Sequence, residues 1–169
     1  MISFRISFLV VFALLALTGT ALRAHDPYDV TSQARILPEG IELRLTVASS
    51  TARRLLTGKA GTIAPAQFDV LRSEFERRAP QFMTLSAANT ALVPTTVAVE
   101  LTEEGDVKIL LRYSPPTAAR LRLQAALLEQ LPREGYTVFL LVRGSPDERA
   151  VAERLTLEKP ACDLPVSPR

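Results

Sequence analysis

The chain has 169 residues, with 20 Lys and Arg against 18 Asp and Glu, a single His and a single Cys. Two of the basic residues, Arg5 and Arg23, sit in an apolar leader, so the chain beyond the leader carries 18 basic and 18 acidic residues and no net charge. That balance argues against the broad basic surface on which nucleic-acid binding draws, and the pairs Arg53-Arg54 and Arg77-Arg78 are too small to track a phosphate backbone.

Arg5 is followed by an apolar run from Ile6 to Leu17, broken only by Ser7, and then by the small residues Thr18, Gly19, Thr20 and Ala21. A positive residue, an apolar core and small residues before a cut are the three parts of a secretory signal peptide. Cleavage after Ala21 or after Ala24 fits the preference for small residues, and the second would make His25 the new N-terminus. The apolar core is shorter than the roughly 20 residues of a spanning helix, although counting on to Leu22 leaves an uncleaved anchor open. The expected organisation is a signal helix over residues 1–24, one domain over 25–158 and an exposed Pro-rich tail over 159–169. The expected location is the periplasm or the extracellular space.

From Tyr28 to Ile36 apolar and polar residues alternate, which predicts a strand with one wet face. Pro38-Glu39-Gly40 turns the chain, and Ile41, Leu43, Leu45 and Val47 then alternate with Glu42, Arg44 and Thr46, completing a β-hairpin. Ser49 to Leu56 suits a short helix with Ser50 as its cap and Gly58 as its end. A longer helix over about 65–79 starts at Pro65, whose missing N–H is harmless in a first turn, and places Phe68, Leu71 and Phe75 on one stripe. Pro80 stops it.

Strands come next. Phe82 to Ala87 and Thr95 to Leu101 are separated by a turn at Asn89-Thr90, with Pro94 at a bulge or an edge. Glu103-Glu104-Gly105-Asp106 turns the chain into Val107, Ile109, Leu111 and Tyr113, a second hairpin. Ala119 to Ala125, Tyr136 to Val142 and Val151 to Leu157 supply three more strands, with a single helical turn near Leu127, Leu128 and Leu131. Short strands at this spacing predict a mostly β domain, an antiparallel, immunoglobulin-like β-sandwich with one inserted α-helix.

Chemistry is scarce in this pattern. Nucleophilic catalysis of the Ser-His or Cys-His kind needs an imidazole as base, and the one His lies before the first strand. Glu103 and Glu104 are paired carboxylates in a tight turn, where solvation rather than acid-base work is expected. No phosphate-cradling glycine loop and no CxxC motif is present. The sequence therefore predicts neither an enzyme nor a bound cofactor. The candidate metal ligand is His25, near Asp26 and Asp29: after cleavage at Ala24 its amine and imidazole form a nitrogen pair suited to copper. No second His completes a two-histidine site, and Pro27 lacks an amide N–H. Cys162 has no intramolecular partner, which leaves an inert thiol or a Cys162-linked dimer.

AHDPYDV just after a leader, the hairpin ARILPEGIELRLTV and the later LRLQAALLEQLPREGYTVFLLVRG resemble the extracytoplasmic N-terminal region of the hydrogenase/urease accessory membrane proteins, a family described as nickel or cobalt permeases. The likeness covers most of residues 24–157 in layout but not the family's transmembrane helices, so it implies a soluble domain and no transport residues. Two function classes stay open: an exported non-enzymatic module that binds a partner or assists a membrane complex, and a small extracytoplasmic copper- or nickel-handling protein using His25.

Overall fold

The computed structural model describes residues 29–115, 120–131, 136–143 and 150–165, which are mostly β and form two sheets and two α-helices. Strand β1 (Asp29–Leu37) turns at Pro38 and Glu39 into β2 (Gly40–Val47), with Leu37 opposite Gly40 and Val30 opposite Val47. Only glycine fits at the start of β2, because a Cβ on Gly40 would collide with the Tyr113 carbonyl oxygen.

Helix α1 (Ser49–Thr57) comes immediately after β2. Its N-cap is Ala48 rather than the expected Ser50, and no side chain caps it. Gly58 takes the left-handed conformation at φ 69° and donates its N–H to the Arg54 carbonyl at 2.8 Å, a glycine C-cap of the expected kind. The loop to the next helix is tied back to α1, since Ile63 N–H donates to Ser49 Oγ at 2.8 Å and Arg53 Nη1 donates to the Thr62 carbonyl at 2.7 Å. Helix α2 (Pro65–Arg78) has Pro65 in its first turn and buries Phe68 and Phe75, whose ring centroids are 6.0 Å apart, while the rest of its surface is largely wet. A short 3₁₀ turn, Ala79–Gln81, contains Pro80 and ends it.

The chain then builds β3 (Thr84–Ala87), β4 (Thr90–Ala91), β5 (Thr96–Leu101), β6 (Val107–Tyr113), β7 (Arg120–Gln124), β8 (Thr137–Arg143), β9 (Val151–Leu155) and β10 (Ala161–Pro165). The two-residue β3–β4 loop, Ala88 and Asn89, has φ of 47° and 66°, the pair of positive angles that matches the twist of a tight hairpin. Leu127 and Leu128 fall on a 3₁₀ turn, Ala126–Gln130, as the bracketing residues predicted.

One sheet has six strands in the order β5-β6-β2-β1-β8-β9, and the other has four in the order β10-β7-β3-β4. All pairings are antiparallel except β1 with β8, which is parallel. That departs from the fully antiparallel expectation: β1 has one side taken by its hairpin partner, and β8 reaches the other side only after the long excursion through β2 to β7, as a parallel neighbour must. The tail is also corrected. Residues 161–165 do not hang free but pair with β7 as β10, because Leu164 fits into the core at 2% exposure opposite Leu121.

Val30, Leu43, Leu45, Ile109, Leu111, Val138 and Leu140 from the six-stranded sheet share one continuous core with Leu85, Leu121, Leu123 and Leu164 from the four-stranded sheet and with Phe68, Phe75 and Phe82. Among the described residues no helix is long and apolar enough to cross a membrane.

Candidate functional site

With the inner side of the six-stranded sheet committed to the core, its outer side carries everything else those strands display. Register places Ala98, Leu110, Arg44, Gln33, Leu141 and Ala152 in one row across β5, β6, β2, β1, β8 and β9. The next row along the strands is Glu100, Lys108, Thr46, Thr31, Phe139 and Arg154. Together they line an open trough of about 860 Å³. The first row has apolar ends, Ala98 and Leu110 on one side and Leu141 and Ala152 on the other, around a polar middle, while the second row sets Glu100 and Lys108 at one end and the 42% exposed Phe139 with Arg154 at the other. The Arg154 guanidinium lies 5.7 Å from the centre of the Phe139 ring, a cation–π contact that keeps the ring's face covered.

A third row begins where the trough is walled by Arg44. Glu42 sits there between Arg112 on β6 and Arg35 on β1, and Arg143 is next in the row on β8. Although Glu42 belongs to the wet face by parity, it is only 6% exposed. Arg44 holds its Oε1 through both Nε and Nη2 at 2.7 Å, Arg112 Nε donates to Oε2 at 3.3 Å, and Arg35 Nη1 lies 3.9 Å from Oε1. One carboxylate thus anchors three guanidiniums whose side chains are 44%, 53% and 56% exposed for Arg35, Arg44 and Arg112. A guanidinium has five N–H donors and a carboxylate cannot occupy them all, so the cluster keeps donors and positive charge turned to solvent.

The pairs Arg53-Arg54 and Arg77-Arg78 do no such work. Arg77 grips Glu74 through Nε at 2.9 Å and Nη2 at 2.6 Å, and that hydrogen bond holds the Glu74 carboxyl below its usual range while raising the Arg77 guanidinium. Arg78 donates to the Leu56 carbonyl at 3.1 Å and to Gln130 at 3.1 Å, pinning α2 to its neighbours.

His25 and Asp26, the expected metal-binding residues, lie outside the described residues, and Asp29 is the first residue of β1. Among the described residues no group of three His, Cys, Asp or Glu side chains is placed to hold a metal ion. Glu103 and Glu104 occupy the β5–β6 turn, closed by Thr102 and Asp106, and both are exposed. Cys162 is half-buried on the same side of β10 as Leu164, opposite Leu123. Burial, with the nearby Glu153 charge, pushes its thiol pKa up, which lowers the thiolate fraction that disulfide exchange needs.

The Glu42 cluster was missed from sequence, yet part of its signal was there. A two-residue loop at Pro38-Glu39 fixes Leu37 opposite Gly40, and counting back by the same register sets Arg35 opposite Glu42. The Arg112 contribution depends on β6 pairing with β2, which no local pattern states. A scan against protein-family models gives no match to this chain, and a search of curated proteins gives none either.

Proposed function

We propose that the protein is an exported, non-enzymatic module that binds a partner or assists a membrane complex, and that the outer side of the six-stranded sheet is its docking surface. The carrying observation is the trough itself: three exposed apolar contributors, Phe139, Ala98 and Ala152, with Leu110 and Leu141, lie on a sheet face that the chain's own core does not use. Apolar side chains gathered on a concave outer face, rimmed by charge, have the composition of a recognition surface. The leader before residue 25 supports export to the periplasm or beyond, and the likeness to the soluble domain of the hydrogenase/urease accessory proteins supports work beside a membrane assembly. Two sheets feeding one core support the reading of the domain as an immunoglobulin-like β-sandwich.

Two measurements test this. Protein recovered from the periplasmic or extracellular fraction is expected to begin at Leu22 or His25 by intact mass, and full-length material confined to the cytosol rejects export. A photo-crosslinking residue at Leu110 in the native host is expected to capture one membrane-associated protein that Leu110→Arg no longer co-purifies, whereas the same group at Val70 on α2 is expected to capture none. Equal capture from both positions rejects the outer face as the docking surface.

A further inference from the structure

The outer face is far from neutral although the chain beyond the leader is. Its three rows place Arg35, Arg44, Lys108, Arg112, Arg143 and Arg154 against only Glu42 and Glu100, so six cations share two carboxylates among the described residues. Arg35 and Arg143 are register partners on adjacent strands, an arrangement of like charges that costs stability where nothing else shares the site. Around Glu42 three guanidiniums meet one buried carboxylate, leaving a local excess of positive charge with N–H donors facing out. Arg44 belongs both to this cluster and to the trough, so a bound group on the cluster continues onto its neighbour Leu110 on one side and, across Gln33, onto Leu141 on the other.

We infer that the Arg35, Arg44 and Arg112 cluster, held by Glu42, is an anchor for paired carboxylates on an acidic amphipathic segment of the partner protein, whose apolar side chains lie on Leu110 and Leu141. The inference rests on the docking surface proposed above and names the chemistry that would fill it. Dimensions favour a chain segment over a small ligand. Six strands at a spacing of about 4.8 Å make the trough about 24 Å across, the length of about 16 helical residues, and its open side would leave a small molecule mostly in water. In the row through Arg44, Ala98 and Leu110 on one side and Leu141 and Ala152 on the other flank a polar middle, which suits a segment whose hydrophobic residues recur along one side. Charge selects acid: Arg forks recognise carboxylates in two-pronged fashion, and the surplus of cations repels a basic segment.

The test uses the processed protein with synthetic helical peptides of about 16 residues, leucines along one stripe and glutamates flanking that stripe on one side, next to a counterpart with lysine in place of each glutamate. Expected are perturbations of the Arg44 and Arg112 Nε–H signals in nitrogen-15 spectra with the glutamate peptide only, and an affinity that falls as NaCl rises. Arg44→Lys with Arg112→Lys keeps the charge and loses the forks, so binding is expected to weaken at least about tenfold, while Arg77→Gln, on α2 and outside the trough, leaves it within about twofold. Thermal melts matching the parent confirm that the variants fold. No shift at millimolar glutamate peptide, equal binding of the lysine peptide, or unchanged binding in the double lysine variant overturns the inference, even where Leu110 still crosslinks to a partner. Glutarate binding as tightly as the peptide makes this a small-molecule site and overturns the assignment to a partner segment. Preferential capture of phosphatidylglycerol vesicles assigns the face to lipid and overturns it equally.

Discussion

The two faces of the six-stranded sheet are made by the same strands, residue by alternate residue, and they obey different rules. Inward, the central row is Val99, Ile109, Leu45, Ser32, Leu140 and Glu153, apolar except at Ser32 and at the β9 edge. Outward, one residue along, the row through Arg44 mixes Ala98, Leu110, Gln33 and Leu141, and the row through Glu42 is dominated by arginine. The inner face stabilises by removing carbon from water, an effect proportional to area and indifferent to direction. Pairing between strands on the outer face brings charges together in defined directions, where each exposed pair contributes little and the arrangement matters more than the sum. Stability and recognition are thereby separated by one residue of register. A slip of one position in β2 would exchange them, which explains why the hairpin is fixed so firmly at Gly40, where the Tyr113 carbonyl leaves no room for a Cβ.

The sharpest break of this comparison comes from cutting the same size of hole on each side. Leu45→Ala or Leu111→Ala, each removing a side chain no more than 1% exposed, is expected to destabilise by about 2–5 kcal/mol. Arg44→Ala, next to Leu45 in sequence but on the outer face, is expected to cost about 1–2 kcal/mol, since it takes the closest partner from Glu42 but also opens that carboxylate to water. Denaturant melts measure both, and equal losses would mean that the faces are assigned the wrong way round.

Much of the inner face was readable beforehand, and the reason is its period. β2 and β6 alternate strictly, so Leu43, Leu45, Ile109 and Leu111 announce themselves, as do Phe68 and Phe75 at helical spacing. β10 was not legible. ACDL between Pro160 and Pro165 reads as a tail, and only its pairing with β7, roughly forty residues earlier along the chain, buries Leu164. The parallel β1–β8 pair escaped for the same reason, since nothing local distinguishes a parallel neighbour from an antiparallel one. The site was half legible: alternation gives the wet face to Glu42 and Arg44, but the burial of Glu42 comes from arginines at three different positions closing over it.

Tyr113 tests the inner face from its margin. It is 4% exposed, and burial pushes its phenol up to about 12. The unfolded chain releases this proton near pH 10 while the native state keeps it, so the contribution is whole below pH 10 and is lost as pH rises toward about 12. A loss of stability of about 2 kcal/mol over that window is expected for the parent, and Tyr113→Phe is expected to flatten this part of the profile. Unfolding curves that fall equally in both proteins would trace the loss to other groups.

Glu42 tests the outer face where it is most nearly an interior. Glu42→Ala takes away an acceptor of charge-assisted hydrogen bonds, and it leaves three guanidiniums near one another without their common counter-ion. Because those guanidiniums are about half exposed, water can solvate them, so the expected loss is about 1–2 kcal/mol rather than the larger penalty of an abandoned buried charge. High salt is expected to narrow the gap between Glu42→Ala and the parent by screening the repulsion. A gap that widens in salt would show that packing around Glu42, not its charge, sets the cost.

The smallest expected effect has the opposite sign. Ser32 is the one polar residue in the interior of the inner rows, 5% exposed between Leu45 and Leu140, and its Oγ has no hydrogen-bond partner among the described residues. A hydroxyl loses its hydration on burial, and without a compensating bond that loss is a net cost of about 1 kcal/mol or more. Ser32→Ala removes the oxygen, keeps the Cβ and leaves a gap of a single atom, so the penalty for the void is smaller than the relief. The variant is therefore expected to gain about 0.5–1 kcal/mol, read as a higher denaturant midpoint with an unchanged slope. Ser32→Val, which adds carbon to a closely packed row, separates polarity from space: if alanine stabilises and valine does not, the site is full and the parent's defect is polar. A loss of stability in Ser32→Ala would show that the hydroxyl has a bonding partner, and the inner face would then hold a polar contact as specific as the one around Glu42.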